Sequence, residues 1–150
     1  MESYGKPDAT GRSSGVWTGK EKKYFGPPKG QPWVWKTSEL IVSASWKMAS
    51  INTRRLIDFL EIEHREHGGR ENGRLMATYD QLVDFGLTRS EISNAVAEAE
   101  FLGLISVKRG GRWADTNQPS IYRLTYYASY DFAPPTNDWK KKTTEAIKRW

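Results

Sequence analysis

The sequence predicts an α+β fold, mainly helical, in which a series of amphipathic helices is closed by a two-stranded hairpin. Three observations predict it. Apolar residues recur at helical spacing through 50–67 and 88–102. Two capping boxes, Thr78-Tyr-Asp-Gln81 and Thr88-Arg-Ser-Glu91, open successive helices. Two short alternating runs, 104–107 and 121–126, flank a polar, glycine-rich stretch.

The elements follow in chain order. Residues 1–30 carry six Gly and the pair Pro27-Pro28 but few aliphatics, so a disordered basic arm is expected there. Trp33-Val-Trp35-Lys alternates like a short strand, and the two Trp are expected as core aromatics beside the first helices. Residues 38–49 suit a short helical lead-in, with Ser38 and Ser43 both eligible as caps. A stronger helix starts at Ser50 or Asn52 and runs to about His67. Leu56, Phe59 and Leu60 form its stripe, Ile57 and Ile62 broaden it, and Gly68-Gly69 ends it. After a turn at 71–73, Leu75-Met-Ala77 is extended. The first box opens a helix that Gly86 stops. The second opens a helix stopped by Gly103, with Ile92, Val96, Ala99 and Leu102 on one face. The hairpin strands come next, Pro134-Pro135 closes the domain, and Thr136 or Asn137 caps a last helix to Trp150. The expected organisation is therefore an arm (1–30), a folded domain (31–135) and a basic C-terminal helix (136–150).

Composition bounds the function. In 150 residues the hydrophobic content is only 37%, which leaves part of the chain for tails. Seven Trp, seven Tyr and five Phe still supply a core. No apolar run approaches the ~20 residues that span a bilayer. The N-terminus has no stretch resembling a signal peptide. The absence of Cys excludes disulfides and thiolate metal sites, and fits the cytoplasm. The net charge of +5 points to an anionic partner, but it is uneven. Residues 1–30 hold six Lys/Arg against three Asp/Glu, and 136–150 hold five against two, which leaves 31–135 at −1. Affinity for nucleic acid must then come from the tails and a local patch.

A short helix, a tight turn at Gly86 and a longer helix with polar N-terminal positions define a helix-turn-helix, and the hairpin supplies a wing. The stretches ASINTRRLIDFLEIEHREHGGRENGRLMATYDQLVDFGL, AVAEAEFLGLISVKRGG and PSIYRLTY resemble winged-helix domains of plasmid and phage replication initiators. They are closer still to short helix-turn-helix proteins of bacterial plasmids, phages and integrative elements. The resemblance covers roughly residues 38–139. It implies double-stranded DNA binding, in transcriptional control of a mobile element or in its replication.

In such a domain the exposed start of the recognition helix enters the major groove. Here that means Arg89, Ser90, Ser93, Asn94 and Ala97. Arg suits guanine, Asn suits adenine, and Ser suits bases or phosphates. Glu98 and Glu100 make the second half of the helix acidic, so only its first two turns suit DNA. In the wing, Lys108, Arg109 and Arg112 surround Gly110-Gly111, with Arg123 on the return strand, and these are expected on the DNA backbone or in the minor groove. Trp113 is expected to fold back over the sheet. Lys140, Lys141 and Lys142, with Lys148 and Arg149, suit a backbone, an acidic partner or plain solvation. Trp139, Ile147 and Trp150 could dock the last helix on its own domain or on a second subunit, the expected homodimer face.

Enzyme signals are poor. Glu63-His-Arg-Glu-His67 lacks the spacing of a zinc-protease helix, and no third ligand accompanies His64 and His67. No catalytic residue, metal or cofactor is expected. The leading expectation is a sequence-specific double-stranded DNA-binding transcriptional regulator. A replication module and a winged helix used for protein interaction are the alternatives, and RNA binding comes last.

Overall fold

A computed structural model of the chain describes residues 18–113, 116–117 and 119–150. It divides into two compact units, Met1–Trp33 and Val34–Trp150. In the first, the helix α1 (Gly19–Phe25) forms where no regular structure was expected. Its Lys-Glu-Lys-Lys core favours a helix, and Gly26-Pro27 ends it. It leaves Tyr24 and Phe25 exposed. The rest of the expected arm, residues 1–17, lies outside the described residues.

The second unit is α+β. It opens with two short helices, α2 (Ser38–Ile41) and α3 (Ala44–Met48), capped by the hydroxyls of Thr37 and Ser43. Then come α4 (Ile51–Glu66), capped by Ser50, and β1 (Leu75–Met76). Next are α5 (Tyr79–Asp84), a 3-10 turn (Arg89–Glu91) and α6 (Ile92–Phe101). Four strands follow: β2 (Ile105–Lys108), β3 (Arg112–Trp113), β4 (Thr116–Asn117) and β5 (Ile121–Leu124). A second 3-10 turn (Asp138–Lys141) and α7 (Thr144–Lys148) end the chain.

β1, β5 and β2 form an antiparallel sheet in that order, with Leu75 opposite Tyr122 and Ile105 opposite Leu124. β3 and β4 pair separately between the hairpin strands. One sheet face is closed by α4 and α6. Leu56, Ile57 and Leu60 of α4 meet Ile92, Ala95, Val96 and Ala99 of α6, with Leu75, Ile105, Tyr122 and Leu124 from the strands. Ile62, expected to widen the α4 stripe, is exposed.

Four expectations are corrected. Trp33-Val-Trp35 joins no ladder. Trp35 is held instead by the Tyr127 hydroxyl, which accepts from its N–H at 3.2 Å and donates to its carbonyl at 2.7 Å. Both Trp stay about half exposed, at 50% and 45%. The second capping box does not form. The first turn there is 3-10, the Thr88 hydroxyl caps nothing, and the Thr88 N–H is taken by Asn52 of α4 at 3.4 Å. Finally, the C-terminal segment is a 3-10 turn and a short helix, and it buries Trp139 and Ile147 in the domain's own core. It passes the turn after α6 so closely that a Cβ at Gly103 (φ +74) would lie 2.7 Å from the Trp139 nitrogen. That docking consumes two of the three residues expected to offer a dimer face.

Candidate nucleic-acid interface

The Thr78 box forms as read: its hydroxyl accepts from the Gln81 N–H at 3.1 Å, and Gln81 accepts from the Thr78 N–H at 3.0 Å. This fixes the start of α5. Gly86, at φ +112, turns the chain, and Leu87 anchors the turn in the core. Arg55 of α4 donates to the Gly86 carbonyl at 2.6 Å and clamps the turn from outside. With Asn52 it ties the junction between α5 and α6 to α4.

Burying Ile92, Ala95, Val96 and Ala99 turns the opposite side of α6 outward, because residues three and four apart share a face. Ser93 and Asn94 are exposed there, with Arg89 and Ser90 exposed on the preceding turn and Ala97 half-buried. Four residues expected at a DNA groove thus lie on one solvent-facing surface. Two are engaged with neighbours. Arg89 pairs with Asp80 of α5, and Asn94 donates to Glu91 at 3.3 Å.

The acidic half of α6 is also committed. Glu98 accepts from the Ser50 N–H at 2.7 Å, at the positive end of α4. Glu100 faces Arg109 at 3.6 Å. Both charges are balanced locally, which removes much of the repulsion their sequence positions suggest.

Strand alternation divides the cations expected in a wing. Arg109 stands on the α6 side, beside Glu100. Lys108 follows Ser106 onto the outer face, opposite Ile121 in the register, and Arg123 lies opposite Ser106. Arg123 donates to the Pro134 carbonyl at 2.9 Å and so braces the following turn. Lys108 and Arg123 are therefore not grouped with α6, whereas Arg109 is. The side chains of Arg112 and Trp113 lie outside the described residues.

The C-terminal cations separate too. Lys140 pairs with Glu39 at 3.5 Å, and Lys141 with Asp138 at 3.6 Å. Lys142 lies over the Phe101 ring at 4.6 Å, and Trp150 stacks on Phe101 at 4.7 Å. Only Lys142 reaches the end of α6, where its charge suits the helix dipole.

Sequence reasoning missed Arg55. The available signal was its i, i+3 relation to Asn52 on the side of α4 away from the apolar stripe. His67 pairs with Glu63 at 2.7 Å, and the His64 ring lies tilted against Tyr127 with centroids 4.9 Å apart, its pKa lowered chiefly by burial. Among the described residues no group of three His, Asp or Glu is placed to hold a metal ion, and no helix is long and apolar enough to cross a membrane.

Comparison of the chain with protein-family models, with curated proteins and with solved structures finds no match.

Proposed function

We propose that the unit Val34–Trp150 is a winged helix-turn-helix that binds double-stranded DNA sequence-specifically and acts as a transcriptional regulator. The observation that carries the reading is the exposed surface of Arg89, Ser90, Ser93 and Asn94 at the start of α6, reached from α5 through a clamped glycine turn. The element order supports it: helix, strand, helix, turn, helix, strand, loop, strand, with β1 pairing the returning β5. The regulatory role rests on the resemblance to mobile-element proteins.

In this reading Asn94 reads adenine and Arg89 reads guanine, each leaving its carboxylate neighbour. Arg55 and Arg109, flanking the helix, take phosphates. Salt-titrated binding to matched and scrambled duplexes tests it. Asn94→Ala and Arg89→Ala are expected to cost ~1–3 kcal/mol on the specific site and to relax preference at one position each. Arg55→Ala and Arg109→Ala are expected to weaken both duplexes alike and to flatten the salt slope by about one unit. Unchanged site preference in the Asn94 and Arg89 variants overturns the assignment. Bound sites concentrated at promoters in a genome-wide footprint support regulation, and a single origin overturns it.

A further inference from the structure

The turn that opens α6 carries the residues of a capping box and leaves the box open. Thr88 stands in the extended conformation of an N-cap, at φ −77 and ψ 123, close to the φ −83 and ψ 157 of Thr78, which caps α5. Glu91 follows it at the place Gln81 holds in the closed box. Yet residues 89–91 form a 3-10 turn, in which the Glu91 N–H donates to the Thr88 carbonyl at 2.9 Å and the Ile92 N–H to the Arg89 carbonyl. The Thr88 hydroxyl caps nothing, and the Thr88 N–H donates to the Asn52 side chain at 3.4 Å, a long bond.

The Glu91 carboxylate is occupied elsewhere. It accepts from the Asn94 side-chain amide at 3.3 Å, one turn further along the helix. Thr88 lies one turn back, and six residues of helix rise about 9 Å, so the carboxylate serves one end or the other. The backbone change between the two arrangements is small. Glu91, at φ −100 and ψ −4, already lies in the right-handed region, about 40° in each angle from a regular helix. Completing that rotation passes the Ile92 N–H to the Thr88 carbonyl and the Glu91 N–H to the Thr88 hydroxyl. Thr88, Glu91 and Asn94 are all exposed, so their side chains can exchange partners without crossing the core.

We propose that residues 88–94 form a two-state switch in which Glu91 either holds Asn94 or turns back to the Thr88 N–H, closes the box and releases Asn94. In the closed state the 3-10 turn becomes the first turn of α6. The closed state is the one that reads DNA, a step that rests on the reading of Asn94 as a base-contacting side chain. A released Asn94 offers its whole amide to an adenine edge, whereas Glu91 takes one donor in the open state. Non-specific binding engages phosphates and does not need the release. The cost of closing is thus offset only where a base takes the amide, and a matched duplex shifts the population.

Denaturant unfolding of the full chain without DNA tests the switch. Thr88→Ala alone is expected to raise the unfolding constant less than about twofold, because the hydroxyl is idle in the open state. In an Asn94→Ala background Glu91 is free to close the box. There the same substitution is expected to raise the constant about fivefold, the usual worth of a cap. Equal effects in the two backgrounds overturn the switch. The coupling to DNA is read separately, on matched and scrambled duplexes. Thr88→Ala is expected to weaken matched binding about fivefold and leave scrambled binding level, and Thr88→Asn, which caps as well as Thr, is expected to keep the matched affinity. Equal weakening on both duplexes marks Thr88 as a phosphate contact and overturns the coupling, as does matched binding that Thr88→Ala leaves unchanged or Thr88→Asn fails to keep. A chain that binds neither duplex overturns the DNA reading and the coupling with it, while the unfolding cycle still decides the switch.

Discussion

Glu61 is fully buried on α4, and the chain spends two distant segments to keep it there. Lys36 straddles both of its oxygens, at 2.9 Å from Oε1 and 3.0 Å from Oε2, and the Tyr126 hydroxyl donates to Oε1. Burial raises the Glu61 carboxyl above its ordinary value, while the Tyr126 and Lys36 hydrogen bonds oppose the rise. Lys36 also pairs with Asp58 at 3.3 Å and lies 5.0 Å from the Trp46 ring, so it pins the start of the domain to α4. Lys36→Ala is expected to cost about 2–3 kcal/mol at neutral pH by leaving a buried carboxylate unpaired, less than a fully dry pair because Asp58 is open to solvent. The sign of the pH dependence follows from the raised pKa. A carboxyl that titrates higher when folded contributes stability below its unfolded value, near 4.5, and loses it as pH rises through the folded value. The deficit of Lys36→Ala should therefore shrink toward acid, where Glu61 is protonated. Urea titrations of both proteins at several pH values check this, and a deficit that grows in acid contradicts it.

At the scale of elements, the two Thr boxes read alike in sequence and differ in the fold. Thr78 caps α5 with both reciprocal bonds. Thr88 begins a 3-10 turn, its N–H goes to Asn52, and Glu91 accepts from Asn94 instead of reaching back. Thr78→Ala is expected to cost about 1 kcal/mol and Thr88→Ala less than about 0.5 kcal/mol. Equal losses in denaturant unfolding would show that the Thr88 hydroxyl caps α6 after all. The helix stripes and glycine stops were legible because their periodicity is local. Gly86 and Gly103 end their helices at positive φ, as their positions suggested. The hairpin was legible as two strands, but not which cations share a face with α6. That depends on register, and a shift of one residue exchanges the faces.

Across the whole molecule, every buried apolar side chain of the described residues lies between Leu40 and Ile147. Two deletions therefore have opposite outcomes. Removing 1–33, the first unit, is expected to leave the thermal transition of the remainder within a few degrees. Removing 136–150 takes Trp139 and Ile147 out of the core and uncovers Phe101 and Gly103. A loss of about 4 kcal/mol or more, or outright failure to fold, is expected from the second deletion. Circular dichroism melts of both truncations check the pair. A stable, cooperative 1–135 fragment would return the C-terminal segment to the status of an appendage.

Local signals in the chain determined the order of elements from α4 to the β2–β5 hairpin, the stops at Gly86 and Gly103, the Thr78 cap and the exposed polar start of α6. Hydrogen bonds and side-chain faces within a helix involve residues three or four apart, so the sequence carries that information directly. Only the tertiary structure decided that Glu61 and Asn72 are buried, that Arg55 clamps the α5–α6 turn, that Lys108 and Arg109 part company, and that the last segment docks on its own domain. Those outcomes depend on partners far along the chain: 65 residues separate Tyr126 from Glu61, and 52 separate Asn72 from Leu124. A buried polar group is tolerable only when such a partner arrives to satisfy it, and packing, not spacing, brings it there.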